Sequence, residues 1–260
     1  QSFGVTPDAV SMAKGIANGV PMGAFMAKKK YADLLTGIKE YPHVDEFEAG
    51  ANMLQLGFLK VLKGSPMAEN PERFICEYNK TPPYEVISTP WITNDELQKL
   101  HAAENELERL YNSGRFRRTL DYVLSETHIT PYDLFFSFGE HLKKIGEKGS
   151  IPLDRYTDLT FDWLCTVDGI DTMKLRNSMI KDRIATNNSG VIPQRLKIND
   201  ADLRRVKKYI NENYPPEKGV NRTVAILYGE NKAIYCDYEN RHPVSGEYET
   251  HTVELPQWDN

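Results

Sequence analysis

Residues 52–67 read NMLQLGFLKVLKGSPM, an apolar run that closes on Gly64, Ser65 and Pro66. Leu54, Leu56, Phe58, Leu59, Val61 and Leu62 leave too few polar positions for a strand with one wet face. A strand covered on both sides of a parallel sheet has this composition. The spacing therefore predicts a buried strand, with Lys60 and Lys63 marking its far end and a tight turn after it. Residues 1–51 upstream carry their own glycine-rich loop, whereas everything downstream is polar and rich in helical periodicity. Four segments are expected: a separate glycine-bearing segment over 1–51, a buried strand and turn over 52–67, a helical domain over 68–190, and a helix plus antiparallel β-meander over 191–260. The fold class is α+β, mainly helical: a helical bundle followed by a small antiparallel β-meander, with a short α/β-type segment at the N-terminus.

With 260 residues, 40% hydrophobic and 27% charged, the chain has enough apolar material for one large or two ordinary globular domains. Its net charge of −5, from 32 basic and 37 acidic residues, argues against a broad nucleic-acid or anionic-membrane surface, since both need an excess of lysine and arginine. No apolar run approaches the roughly 20 residues that span a bilayer, and QSFGVTPDAV at the start has neither a basic nor an apolar targeting region. A cytoplasmic protein is expected. Cys76, Cys165 and Cys236 are odd in number and far apart, which fits a reducing compartment, and their spacing matches no ligand set. No metal site is expected from them. His43, Asp45, Glu46 and Glu48 read as a solvated acidic turn rather than a hard-metal site. Because the chain begins with Gln1, it is expected to be a fragment or a processed form.

Beyond the strand, residues 69–91 read as a proline-held connector with a short strand-like segment at Tyr84, Val86 and Ile87. Thr93 followed three residues later by Glu96 is a capping box that opens a helix, with Leu97, Leu100, Leu107, Leu110 and Tyr111 on one face. Asn112, Ser113 and Gly114 stop it, and a second helix carries Phe116, Leu120 and Val123 inward. Arg115, Arg117 and Arg118 at this break read as a basic face solvated against Glu104, Glu106 and Glu108, with anion binding as the alternative. Thr130 and Pro131 open the next helix, to about residue 147, with Leu134, Phe135, Phe138, Leu142 and Ile145 as its apolar stripe. The pattern repeats over 152–167 with Tyr156, Leu159, Trp163 and Leu164, and over 171–184 with Met173, Leu175, Met179 and Ile180. His101, His128 and His141 have no acid or second histidine at helical spacing and read as surface or capping residues. An amphipathic helix is expected over 200–214, then three β-runs over 223–228, 232–238 and 248–255.

The N-terminal segment carries the one candidate nucleophile. In GVTPDAVSMAKGIANGVPMGAFMA, Val10, Met12 and Ala13 read as a short strand running into Lys14, and Gly15, Gly19 and Gly23 form the loop after it. A lysine at the end of an apolar strand is partly desolvated, which lowers its pKa and frees the amine for imine chemistry; the alternative is a solvated loop lysine. The string resembles the segment around the cofactor lysine in class III pyridoxal-phosphate aminotransferases, over about residues 3–35. That resemblance implies Lys14 as both the catalytic and the cofactor-binding residue, forming the internal aldimine with pyridoxal phosphate. The acid that pairs with the pyridine nitrogen lies further upstream in that family. TGIKEYPHVDEFEAGAN lacks the family's phosphate-binding pattern.

From about residue 52 onward, LQLGFLKVLKGSPM, PPYEVISTPWITNDEL and LYNSGRFRRTLDYVL resemble the C-terminal part of radical S-adenosylmethionine proteins with a cobalamin-binding domain. The first string would be the last strand of the partial barrel and the rest an appended domain of unknown function. The resemblance implies an accessory region, concerned with substrate access or interaction, whose partners are the upstream radical-enzyme domains or another protein. The iron-sulfur cluster, S-adenosylmethionine and cobalamin would belong to those upstream domains. The cluster motif Cys-x3-Cys-x2-Cys does not occur here. Three functions stand open: that accessory region, an aminotransferase built on Lys14, and a composite chain without activity.

Overall fold

The computed structural model describes residues 9–13, 23–27 and 53–258, apart from 148, 198, 199, 218 and 244. They fall into two compact units, 1–104 and 105–260. In the first, strand β1 (Ala9–Ala13) pairs antiparallel with β2 (Gly23–Ala27), from Ala9 opposite Ala27 to Ala13 opposite Gly23.

The apolar run after residue 52 corrects the expectation of a buried barrel-type strand. Its described residues have irregular backbone, and Met53 and Leu62 are 60% and 55% exposed while Val61 is buried. Only three residues find a sheet neighbour: the Val61 N–H donates to the Tyr84 carbonyl and the Val86 N–H to the Leu59 carbonyl, both at 2.8 Å, around an antiparallel bridge between Lys60 and Glu85. A strand forms only where a neighbour bonds along at least one of its edges, and among the described residues this run has such a neighbour only briefly. The turn is present: the Ser65 N–H donates to the Leu62 carbonyl at 3.1 Å across Gly64 at φ 74°, a backbone state glycine adopts without penalty. Helix α1 (Pro66–Glu69) follows at once. β3 (Glu77–Tyr78) and β4 (Val86–Ser88) pair antiparallel, β3 lying on the other edge of β4 from Leu59–Val61, since the Glu85 carbonyl accepts from the Asn79 N–H.

Helix α2 (Asn94–Glu106) starts on the expected capping box: the Glu96 carboxylate accepts from the Thr93 N–H at 2.8 Å, and the Thr93 hydroxyl accepts from the Glu96 N–H at 3.3 Å. Unit 2 begins at residue 105, within α2. The helix then widens into a π-helical stretch, Leu107–Asn112, whose end is marked by the Ser113 N–H reaching the Glu108 carbonyl and by Gly114 at φ 68°. Next come α3 (Arg117–Glu126), α4 (Pro131–Lys144), α5 (Leu153–Leu164) and α6 (Thr172–Thr186). Their apolar stripes are buried. Phe138 is fully buried with its ring 4.9 Å from that of Trp163, and Leu134, Leu175, Met179, Ile180 and Ile184 are buried to a similar degree. Two stripe residues depart from expectation. Ile145 lies just past the end of α4 and Met173 in the first turn of α6, and both are exposed.

After a 3-10 turn (Gln194–Leu196) and α7 (Asp200–Asn213), strands β5 (Arg222–Leu227), β6 (Lys232–Asp237) and β7 (His251–Glu254) form an antiparallel meander in that order. Strand alternation divides its side chains. Val224, Tyr235, Ala233 and Leu255 pack with Val206 and Ile210 of α7, and the opposite face, including Thr223, Ala225 and Ile234, is also buried. The result is a mainly helical α+β architecture, as the sequence indicates.

Candidate functional site

Phe116 at the N-cap of α3 offers no side chain to the open N–H groups of the first turn. Asp182 of α6 supplies the cap instead. Its Oδ1 accepts from the Arg118 N–H at 3.0 Å, and its Oδ2 accepts from the Thr119 N–H at 2.8 Å and the Thr119 hydroxyl at 2.7 Å. A carboxylate here also faces the positive end of the helix dipole. Burial pushes the Asp182 pKa up to about 6, against the lowering effect of the Thr119 and Arg118 donors. Arg118 bridges onward to Glu247, with Nη2 at 2.9 Å from Oε2. The expected solvated arginine face at 115–118 is therefore corrected at Arg118, whose guanidinium is committed to Asp182 and Glu247.

A second carboxylate lies at the start of the π-helical stretch. Glu106 is 2% exposed, accepts from the Tyr156 hydroxyl at 2.5 Å and pairs with Arg109 at 3.1 Å. Burial raises its pKa above the usual carboxylate range while Tyr156 and Arg109 pull it back. The Tyr156 phenol is pushed well up, by burial first and then by Glu106. Glu106 is thus an internal brace and not the solvated counter-charge its sequence position suggests. In unit 1, His101 has an acid partner that local spacing cannot reveal: Glu85 lies 2.8 Å from its Nε2, and Phe58 stacks on the ring with centroids 3.6 Å apart.

One accessible feature of unit 2 is a cleft of about 280 Å³ along β5, walled by Ile180 of α6, Leu203 and Lys207 of α7, and the chain at 190–192 and 196–197. The pairing of β5 fixes what points into it. The Tyr238 N–H donates to the Asn221 carbonyl, and the register then makes 223, 225 and 227 the positions bonded to β6. The N–H and C=O groups of Arg222, Val224, Ile226 and Tyr228 face the other way. At Tyr228 the buried Asn177 side chain takes both groups, its Oδ1 accepting from the N–H at 3.0 Å and its amide donating to the carbonyl at 2.9 Å. At Val224 and Ile226 no partner occurs among the described residues. Sequence periodicity could mark β5 as a strand, but no local signal tells which edge stays open.

Lys14, the one residue singled out for catalysis and cofactor binding, lies outside the described residues, as do His43, Asp45, Glu46 and Glu48. Cys165 is exposed, Cys76 half-buried and Cys236 buried, all as free thiols. Among the described residues no three histidine, cysteine or acidic side chains gather to hold a metal ion, and no helix is long and apolar enough to cross a membrane.

A mainly helical domain closed by a three-stranded meander, with its buried acids spent on internal bracing, defines the class of structure. The chain belongs to the family described as Protein of unknown function (DUF4080), which it matches over residues 72–234. At the N-terminus, 31 residues are 55% identical to the acetylornithine aminotransferase of Streptococcus mutans serotype c, covering 12% of this chain and 8% of that enzyme. No solved structure matches the chain.

Proposed function

We propose that this chain is the accessory region of a cobalamin-dependent radical S-adenosylmethionine enzyme, binding and shaping access to a reaction centre carried elsewhere. The observation that supports the reading most is the family match over residues 72–234, which falls within the stretch whose sequence resembles the appended domain of such proteins. The fate of the buried acids fits a binding role. Glu106 and Asp182 are each taken up by two or more internal donors, which leaves them poor acid-base catalysts. The described cysteines do not fit an iron-sulfur cluster, so cluster, S-adenosylmethionine and cobalamin would reside in the upstream domains. The partners are those domains or a separate protein, and a cytoplasmic setting suits three free thiols. Anaerobic reconstitution of this chain alone with iron and sulfide tests the reading. Substoichiometric iron and no cleavage of S-adenosylmethionine are expected; a stoichiometric cluster held by Cys76, Cys165 or Cys236 overturns it.

The 55% identity over 31 residues supports a second reading, an aminotransferase segment in which Lys14, directly after β1, forms a Schiff base with pyridoxal phosphate. Bound pyridoxal phosphate would supply the electron sink for amino-group transfer, and Lys14 would hold the proton in transit. Borohydride reduction after adding pyridoxal phosphate should then label Lys14 and be lost in Lys14→Ala; an unlabelled Lys14 removes this reading.

A further inference from the structure

We propose that the open edge of β5 is a docking site for an extended acidic peptide segment, which adds to the meander as a fourth strand. The first ground is the unused hydrogen-bonding row. Val224, 4% exposed as a whole residue, and Ile226, half-buried, direct N–H and C=O groups away from β6 toward the cleft they line, with no partner among the described residues. Main-chain groups in this arrangement are satisfied by another main chain running alongside. The second ground lies on the same edge. At Tyr228 the Asn177 amide, 3% exposed overall, offers one acceptor and one donor at 3.0 and 2.9 Å. A side-chain amide is there doing what a peptide group would do, and the row it begins continues along the cleft without a second such residue.

The walls and charges select the occupant. Bare strand edges pair indiscriminately, but this one is flanked by Ile180 on one side and Leu203 on the other. The cleft, at about 280 Å³, falls just below the roughly 300–1,000 Å³ of small-molecule sites, which suits main-chain contact along a groove better than engulfment. Lys197, Lys207 and Arg222 are the charged residues lining it, with no acidic residue among the described lining, on a chain of net charge −5. Asp237 already pairs with Arg222, so Lys197 and Lys207 are the cations that meet the incoming segment. The docking site does not depend on the accessory role.

The test uses the full chain and a fluorescein-labelled heptapeptide alternating valine and glutamate, read by anisotropy. Two further peptides carry N-methyl groups on alternate amides, one on each of the two sets. Saturable binding is expected, with one methylated set about tenfold weaker and the other unchanged, because only one set faces β5. Ile226→Pro removes an outward-facing N–H, which edge strands tolerate, together with a side chain packed against the α7 side of the meander, and should weaken binding about tenfold as well. If that variant does not fold, the methylated pair still decides. Hydrogen exchange supplies the protein-side reading: in the free chain the Val224 and Ile226 amides exchange faster than those of Thr223 and Ala225, and the peptide slows them. Absence of binding, equal effects of the two methylated sets, Val224 and Ile226 amides already protected in the free chain, or tighter binding of a labelled oligonucleotide would each overturn the proposal.

Discussion

Replacing Tyr156 by Phe removes one hydroxyl from the centre of unit 2 and leaves the ring that packs 5.8 Å from Phe138 and 5.9 Å from Phe116. The lost contact is the 2.5 Å bond to Glu106, a carboxylate 2% exposed whose second oxygen is held by Arg109. A hydrogen bond to a charged group contributes about 1.5–3 kcal/mol, and a neutral one about 1 kcal/mol. The cost of Tyr156→Phe should therefore depend on the protonation of Glu106. Burial raises the Glu106 pKa in the folded chain, so the folded state binds this proton more tightly than the unfolded state. Stability from this group is full below its unfolded pKa and is lost as pH rises through the folded value. Without the Tyr156 donor the folded pKa moves higher still, and the loss deepens. The variant should be destabilised by about 1 kcal/mol near pH 4.5 and by about 2 kcal/mol or more near pH 8. Urea unfolding followed by circular dichroism and tryptophan emission measures both. At a slope of about 2 kcal/mol per molar, the pH 8 cost lowers the midpoint by about 1 M. A loss under about 0.5 kcal/mol at pH 8, or the same loss at both pH values, would refute the charged hydrogen bond as the brace.

Three other outcomes follow from named contacts. Asn177→Ala strips both partners from Tyr228 and should cost about 2 kcal/mol, with faster exchange of the Tyr228 amide; an unchanged exchange rate would place that amide's partner elsewhere. Thr130→Ala loses the hydroxyl that accepts from the Asp133 N–H at 3.1 Å and should cost about 1 kcal/mol, while Thr130→Ser should cost little. A thiol reagent should modify Cys165 in the native chain and reach Cys236 only after unfolding, since Cys236 is fully buried and burial pushes its pKa up to about 12.

What the sequence discloses here is what depends on near neighbours. The Thr93 and Glu96 box, the Thr130 and Pro131 start, the Gly114 stop and the apolar faces around Phe138 and Leu175 all act within a few residues. What escapes it depends on distant partners. Asp182 caps a helix more than sixty positions earlier in the chain, so neither end of that contact carries a motif. Glu106 alternates with Glu104 and Glu108 as though solvated, yet the widened π-helical turn and Tyr156 draw it inward. His101 finds Glu85 from another element. The run at 53–62 misleads for the complementary reason: composition alone suits a buried strand, but strands exist only where neighbours complete the ladder, and here Tyr84–Val86 completes three residues of it. The open edge of β5 likewise becomes visible only once register is known.

The accessory role is tested most directly by association. This chain should be mixed anaerobically with the separately prepared cobalamin- and cluster-bearing part of a radical S-adenosylmethionine protein that has the same appended domain, and followed by sedimentation velocity. A one-to-one complex with micromolar affinity is expected, in keeping with the modest interfaces between domains of one chain. Two independently sedimenting species at concentrations well above that range would contradict it.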